Sequence, residues 1–336
     1  MQHVPRALRA PMRYTTFDHA SPVAALAAGE KGAARVADAE QRWRDVMLVG
    51  NPISGLGKAR TDLQHVADLL RRGTRSLRIV QTTRKGDAQE AANDFGGDAI
   101  VAFGGDGTVN EVINGAHLDR CAVAVVPAGT GNVLAKELRM PMACPQAVRA
   151  ILGGRVERLD LGLCNGRRFV SVFGAGLDAH VVEAVHQCRR KWLTPLHYVP
   201  HLLRYFLRPP HWDISVSVDG KPFLSGADVV CVGNARNYGG PVSMTSAASP
   251  TDGVFDVMAL PLRSVLDAAV PAAAALLRSM HACPAVRYGR GRRVLATSSR
   301  RDVPWQVDGE VGGKLPAEIH IEPRGIGVIV PPAFRC

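Results

Sequence analysis

The chain has no apolar run long enough to cross a bilayer. Its best candidate, residues 265–277, is mostly alanine and is broken by Asp267 and Pro271, whereas a spanning helix needs about 20 consecutive apolar residues. Nor does it carry, near its start, the continuous apolar segment of a secretory signal. The seven cysteines, at positions 121, 144, 164, 188, 231, 283 and 336, include no C-x-x-C pair and no even framework. Buried free thiols in a reducing cytosol are therefore expected, not disulfides or a zinc site. A Walker-type phosphate loop is also missing, because Gly55-Leu-Gly-Lys58 lacks the long spacer and the hydroxyl residue after lysine. No zinc-finger, helix-turn-helix or single-strand-binding pattern is found, so nucleic acid is set aside as a partner. Acid is in deficit: 41 Lys and Arg face 30 Asp and Glu, a net charge of +11. Such a balance implies an anionic partner, here a nucleotide or an acidic membrane surface.

What is present centres on Asp98-Ala-Ile-Val-Ala-Phe-Gly-Gly-Asp-Gly-Thr-Val-Asn-Glu-Val-Ile-Asn114. Residues 100–103 form a short apolar run suited to a buried strand. The run breaks on Gly104, Gly105 and Gly107, then resumes at Val109, Val112 and Ile113 with helical spacing. Strand, glycine turn and helix start make an anion site, because glycine lets the backbone approach closely and the first helical turn presents free N–H groups. A bare acid inside such a loop, Asp106, would repel a phosphate unless a divalent cation lies between them or it bonds neighbouring backbone. That points to metal–nucleotide chemistry. The bland reading is a tight strand-to-helix turn that happens to be glycine-rich.

With 336 residues, 46% of them hydrophobic, the chain can hold two domains with real cores. Residues 1–44 show scattered charge and no core pattern, and read as a flexible or partly helical extension. Strands are expected at 46–50, 77–82, 100–103 and 121–126, alternating with helices, which implies a parallel sheet with ligand groups at the strand carboxyl ends. From about residue 155 the pattern changes to short strands, at 167–173, 213–218, 227–233, 254–260, 294–297 and 317–321, with helices near 177–187, 196–207 and 262–279. Turns such as Val218-Asp-Gly-Lys221 suggest a largely antiparallel sandwich. Gly174-Ala-Gly-Leu-Asp-Ala179 matches a dinucleotide fingerprint, but no acid-ended strand follows it, so that reading is set aside.

Asn51-Pro-Ile-Ser-Gly55, the Gly104-Gly-Asp-Gly-Thr108 core and Pro127-Ala-Gly-Thr-Gly-Asn132 closely resemble, in order and spacing, the catalytic domain of the diacylglycerol kinase family. That family includes sphingosine kinases and bacterial lipid kinases; the glycine core alone is shared with NAD kinases and phosphofructokinases. The resemblance implies an N-terminal α/β domain with a parallel sheet over 45–154 and a β-rich lipid-substrate domain, mainly an antiparallel sandwich, over 155–324. It also implies that residues 325–336 return to the first domain. Asn51 and Thr82 would border the nucleotide. Gly104, Gly105, Asp106, Gly107, Thr108, Val109 and Asn110 would hold its phosphates, and Thr130 would contact it too. Val133 stands where diacylglycerol kinases commonly have Asp, which looks more like the apolar residue of sphingoid-base kinases.

Two later turns complete the resemblance. Pro250-Thr-Asp-Gly-Val-Phe-Asp256 resembles a turn that binds a structural Mg2+, with Asp252 giving a carboxylate and Ser249 and Val254 carbonyls; otherwise it is an ordinary Asp-Gly hairpin turn. Trp305-Gln-Val-Asp-Gly-Glu310 resembles the signature whose Glu accepts a proton, which makes Glu310 and Asp106 the catalytic pair, facing one another across an interdomain cleft. The expected activity is transfer of the γ-phosphoryl group of ATP, or of another nucleoside triphosphate, to a hydroxyl of a membrane lipid. Two alternatives are a kinase of a soluble substrate, as NAD kinases are, and a non-catalytic nucleotide-binding module. The protein is expected in the cytoplasm, peripheral at the inner face of the membrane, with a homodimer left open. Residues 186–212 mix Arg189, Arg190, Lys191, Arg204 and Arg208 with Trp192, Tyr198, Tyr205 and Phe206, and read either as a membrane-docking segment or as helices packed on the sandwich.

Overall fold

The structure, a computed structural model, describes residues 13–18, 43–50, 59–189, 211–237, 243–262 and 265–335. It divides into two compact units. One comprises Met1–Thr130, Met140–Arg155 and Ile329–Pro332; the other comprises Gly131–Arg139, Val156–Val328 and Ala333–Cys336.

In the first unit, strands and helices alternate: β1 (Arg13–Asp18), β2 (Trp43–Gly50), α1 (Ala59–Arg71), β3 (Thr74–Gln81), α2 (Asp87–Asn93), β4 (Ala99–Gly104), α3 (Asp106–Gly115) and β5 (Ala122–Pro127). Then come α4 (Val133–Glu137), which groups with the second unit, and α5 (Cys144–Leu152), which returns to the first. Pairing is parallel between β2 and β3, β2 and β4, and β4 and β5. Every residue of β4 and β5 is buried, which explains why they read as unbroken apolar runs: a parallel strand is covered on both faces. Helix α1 buries Leu63, Val66, Ala67 and Leu70, the i, i+3, i+4, i+7 stripe of a helix laid on a sheet.

Along this sheet the order is β1-β3-β2-β4-β5. The chain moves one way from β2 to β3 and the other way from β2 to β4 and β5. Topology therefore reverses between β2 and β4, and in open α/β sheets ligands bind at that point, outside the strand carboxyl ends. β1 corrects one expectation: residues 13–18, inside the segment read as a flexible or partly helical extension, pair antiparallel with β3 from Arg13↔Gln81 to Asp18↔Ser76. Six residues are too few for periodicity to separate a strand from a loop; β3 supplies the partner that decides it.

The second unit holds β6 (Arg155–Cys164), β7 (Arg167–Phe169), β8 (Val172–Gly176), α6 (Leu177–Arg189), β9 (Ile214–Val218), β10 (Lys221–Ala227), β11 (Val229–Gly233), β12 (Phe255–Leu260) and α7 (Val265–Leu276). It continues with β13 (Arg287–Gly291), β14 (Arg293–Ser298), β15 (Pro304–Val307), β16 (Glu310–Lys314) and β17 (Ala317–Val330), the last two residues of which group with the first unit. One layer is a six-stranded sheet in the order β13-β12-β11-β8-β15-β16, with antiparallel pairing throughout. The other contains β17, β14, β9 and β10, joined by β6 and β7. Between them lies a core of Phe169, Phe173, Phe255, Val230, Val232, Val294, Trp305 and Ile319.

Alternation is visible strand by strand, as a pleat of period two requires. Val230 and Val232 enter that core, whereas Val229 and Cys231 join a second cluster with Met258, Leu260 and Ala274 of α7. The expected single strand at 167–173 is two, β7 and β8, because Val170 and Ser171 leave the ladder to bond Asp308. The short run expected at 317–321 extends as β17 to Val330. Five thiols, Cys121, Cys144, Cys164, Cys231 and Cys283, are free; burial pushes Cys121 and Cys164 up to about 12. The helix expected at 196–207, and with it most of 186–212, lies outside the described residues.

Candidate active site

Gly50, Phe103 and Gly104, and Val126 and Pro127 sit in register at the carboxyl ends of β2, β4 and β5. Gly104 ends β4, Gly105 is extended at φ −94° and ψ −172°, and Asp106 begins α3. Thr108 and Val109 N–H donate to the Gly105 carbonyl at 3.0 and 3.2 Å, which closes the first turn. The N–H groups ahead of them point out along the helix axis, where the dipole favours an anion. Space is short at Gly104 and tight at Gly105. A Cβ on Gly104 would stand 2.5 Å from Thr108 Oγ1, and one on Gly105 would stand 3.2 Å from the Gly129 Cα. The loop after β5 is drawn against the glycine loop by Ala128 N–H donating to Gly104 O at 2.9 Å. Gly104 to Asn110 and Thr130 are thus gathered on one edge, with Thr130 exposed and Asp106, Gly107 and Thr108 half-buried.

Three of the expected nucleotide residues have other work in the fold. Thr82 is 6% exposed; its N–H and hydroxyl both donate to Gly50 O, at 2.9 and 3.4 Å, so it ties β3 to the end of β2. Val109 is buried in the core. Asn110 is buried as well, and Asn114 Nδ2 donates to its carbonyl at 2.9 Å. Asn51 lies outside the described residues.

Two acids that carried no sequence signal organise the neighbouring loop. Glu111 accepts from Gly86 N–H at 2.9 Å and Ala88 N–H at 3.2 Å, capping α2 from another helix. Asp87 accepts from the N–H and hydroxyl of Thr83 and from the N–H and Nε of Arg84, at 2.8 to 3.1 Å. Burial raises the Asp87 carboxyl, but these bonds to Thr83 and Arg84 outweigh it and hold the group below its ordinary value.

In the second unit one acidic turn is framed by an acid remote in sequence, and the other is pinned by its own acid to a remote stretch of backbone. Asp160, 1% exposed, donates its N–H to Pro250 O at 2.7 Å and accepts from Gly253 N–H at 2.7 Å and Arg324 N–H at 2.8 Å. That frames the Asp252 turn. Asn234 Nδ2 donates to Asp160 O at 2.8 Å and Val170 O at 2.9 Å. Asp308 accepts from Val170, Ser171 and Val172 N–H at 2.9, 2.9 and 3.0 Å. Asp308 and Gly309 have φ of 49° and 80°, the two positive values of a type I′ hairpin turn. Glu310 follows, half-buried and opposite Val307. One run of hydrogen bonds therefore joins the Asp252 turn to the turn that carries Glu310.

The implied magnesium can be tested against its donors. Asp252, Ser249 and Val254 share one turn and offer only oxygens, as a hard cation prefers. Ser249 Oγ lies 3.2 Å from Thr251 Oγ1, and Asp252 Oδ1 accepts from Val254 N–H at 3.3 Å. Asp252 Oδ2 meets Arg290 Nη2, while Arg290 Nε is 3.4 Å from the buried Asp256 carboxylate. Burial raises the Asp256 carboxyl despite that guanidinium. The oxygen set fits the ion, and Arg290 competes with it for the Asp252 charge. Among the described residues no cluster of three or more His, Cys, Asp or Glu forms a metal set. Asp252→Asn should therefore raise the magnesium concentration at half-maximal activity severalfold, a change on the order of 1 kcal/mol of lost ion binding. An unchanged magnesium titration would leave the turn as a plain hairpin.

A family model described as the diacylglycerol kinase catalytic domain matches residues 45–164. Another, described as the YegS C-terminal NAD kinase beta sandwich-like domain, matches residues 171–330. Together the two matches, over a glycine loop at a strand-order reversal and the sandwich that follows it, place the chain among kinases. The chain is 30% identical over 296 residues to a diacylglycerol kinase of Bacillus subtilis (strain 168), covering 84% of this chain and 95% of that protein. A diacylglycerol kinase of Staphylococcus saprophyticus is 27% identical over 285 residues, 82% of this chain and 93% of its own. The crystal structure of a diacylglycerol kinase from Bacillus anthracis str. Sterne shares the fold, with a TM-score of 0.72 at 24% identity over 87% of this chain and 99% of that one. The chain belongs to the diacylglycerol kinase family.

Proposed function

We propose that the protein is an ATP-dependent, magnesium-requiring lipid kinase that phosphorylates a hydroxyl of diacylglycerol, a sphingoid base or a related membrane lipid. The observation that carries this reading is the combination in one chain of a glycine loop at the strand-order reversal and an acid on a pinned hairpin turn. Phosphoryl transfer asks little covalent chemistry of a protein; it asks for held phosphates, an aligned hydroxyl and a proton acceptor. The N–H groups at the start of α3 hold the donor phosphates, with Asp106 on the cation side. Glu310 accepts the hydroxyl proton, a role within reach of a carboxylate at hydrogen-bond distance. Magnesium at Asp252, Ser249 and Val254 would supply positive charge that braces their turn.

Among the described residues no helix is long and apolar enough to cross a membrane. With a net charge of +11, adsorption to the anionic inner face of the membrane accounts for access to lipid. Purified protein incubated with γ-labelled ATP should transfer label to a mixed lipid extract and leave NAD unlabelled. Label on NAD and none in lipid would favour a soluble substrate, and label on neither would favour a module that binds nucleotide without turnover.

A further inference from the structure

Asp178 stands at the start of α6, just after Gly176 turns the chain at a φ of 75°. Its carboxylate rests on Gly174, where a Cβ would fall 1.5 Å from Asp178 Oδ2 and 2.7 Å from Gln306 Nε2. Glycine at 174 is thus the condition for the acid to reach the amide. Gln306 is 1% exposed and lies opposite Gly174 across the β8–β15 pair. Its Nε2 donates to Asp178 Oδ2 at 2.9 Å, and its Oε1 accepts from Gly309 N–H at 2.8 Å.

A glutamine amide has a donor end and an acceptor end that can exchange places by rotation, whereas an ionised carboxylate only accepts. Asp178 therefore selects the orientation in which Oε1, not Nε2, meets the Gly309 N–H. We propose that Asp178 is a positioning residue for phosphoryl transfer, acting through Gln306 to hold the Asp308-Gly309 turn that presents Glu310. The proposal rests on the reading of Glu310 as the proton acceptor.

Protonation would undo the selection. A neutral Asp178 can donate to Oε1, which turns the amide and sets Nε2 against the Gly309 N–H, donor against donor. Burial pushes the Asp178 carboxyl up to about 6, against the opposing bond from Gln306. Of the elements packed on α6, β8 and β15 carry no ionisable side chain, β11 contributes the buried Cys231 thiol, and β16 carries Glu310 and Lys314. A folded pKa above the ordinary 3.8 means the native state binds the proton more tightly. This group's contribution to stability therefore rises as pH falls from above 6 towards 4. Activity, on this proposal, falls over the same range.

The test uses the full chain, with ATP and the lipid extract that accepts label. Asp178→Ala should lower kcat on the order of tenfold, with KM for ATP held within about twofold, because only the turn shifts. It should also speed hydrogen exchange at the Gly309 amide. Asp178→Asn carries a donor beside its acceptor, as the protonated acid does; it should hold kcat at the lowered level at every pH and abolish the fall in activity near pH 6. If Asp178→Ala does not fold, Gln306→Met keeps the volume, breaks the same relay and should give the same two changes. Wild-type exchange at Gly309 in either variant, or an unchanged acid limb in Asp178→Asn, would overturn the proposal. A fully active Glu310→Gln would remove the Glu310 reading by itself, since the exchange at Gly309 reports the relay separately.

Discussion

Asp106→Ala will reduce turnover on the order of a hundredfold or more, the scale seen when one preorganised group is removed from a developing charge. The loss belongs to the reaction and not to folding. Asp106 is the first residue of α3 and half-buried, and an acid at a helix start is worth only about 0.3–1 kcal/mol of stability. Against a typical domain stability of about 5–15 kcal/mol, the variant stays folded. Thermal unfolding of the variant beside a steady-state rate separates the two effects. A variant within threefold of wild type would remove the glycine loop from the reaction centre.

Glu310→Gln will lower kcat by about 10²–10⁴-fold, the usual worth of a positioned general base, while KM for ATP changes little. Glutamine keeps the size of the side chain, and the turn is held by other groups: Asp308 bonds three N–H groups and Gln306 bonds Gly309 N–H. Loss of kcat without loss of nucleotide binding is the mark of an interaction made only in the transition state. If KM for ATP rose and kcat held, Glu310 would be a binding residue, and the proton would go elsewhere.

Both acids stand out in the sequence as candidates, for different reasons. Asp106 is conspicuous because it breaks a local rule, a negative charge placed where a phosphate loop wants neutral donors. Glu310 is conspicuous only through its neighbours, since Asp308-Gly309 is an ordinary hairpin signal and the acid after it acquires meaning by likeness to a family. The residues that hold Glu310 in place were less visible. Gln306 reads as a polar position in a short apolar strand, and Asp178 as one residue of a glycine motif set aside as a dinucleotide fingerprint.

What the sequence determined by itself is local. Glycines 104, 105 and 107 between a branched apolar run and a helical stripe dictate strand, turn and helix, because backbone freedom and side-chain period act over a few residues. The alternation of strands and helices before residue 155, and of strands and Asp-Gly turns after it, likewise determined the class of each unit. Tertiary structure decided everything that depends on a distant partner. Residues 13–18 become a strand because β3 offers a ladder to them. Asp160 and Gly253, 93 positions apart, meet because β6 and the turn before β12 close on one another. Asp178 and Gln306, 128 positions apart, meet only once β8 pairs with β15 over a glycine. A buried polar group must find a partner, but which partner it finds is set by strand register, and register follows from the packing of the whole sandwich.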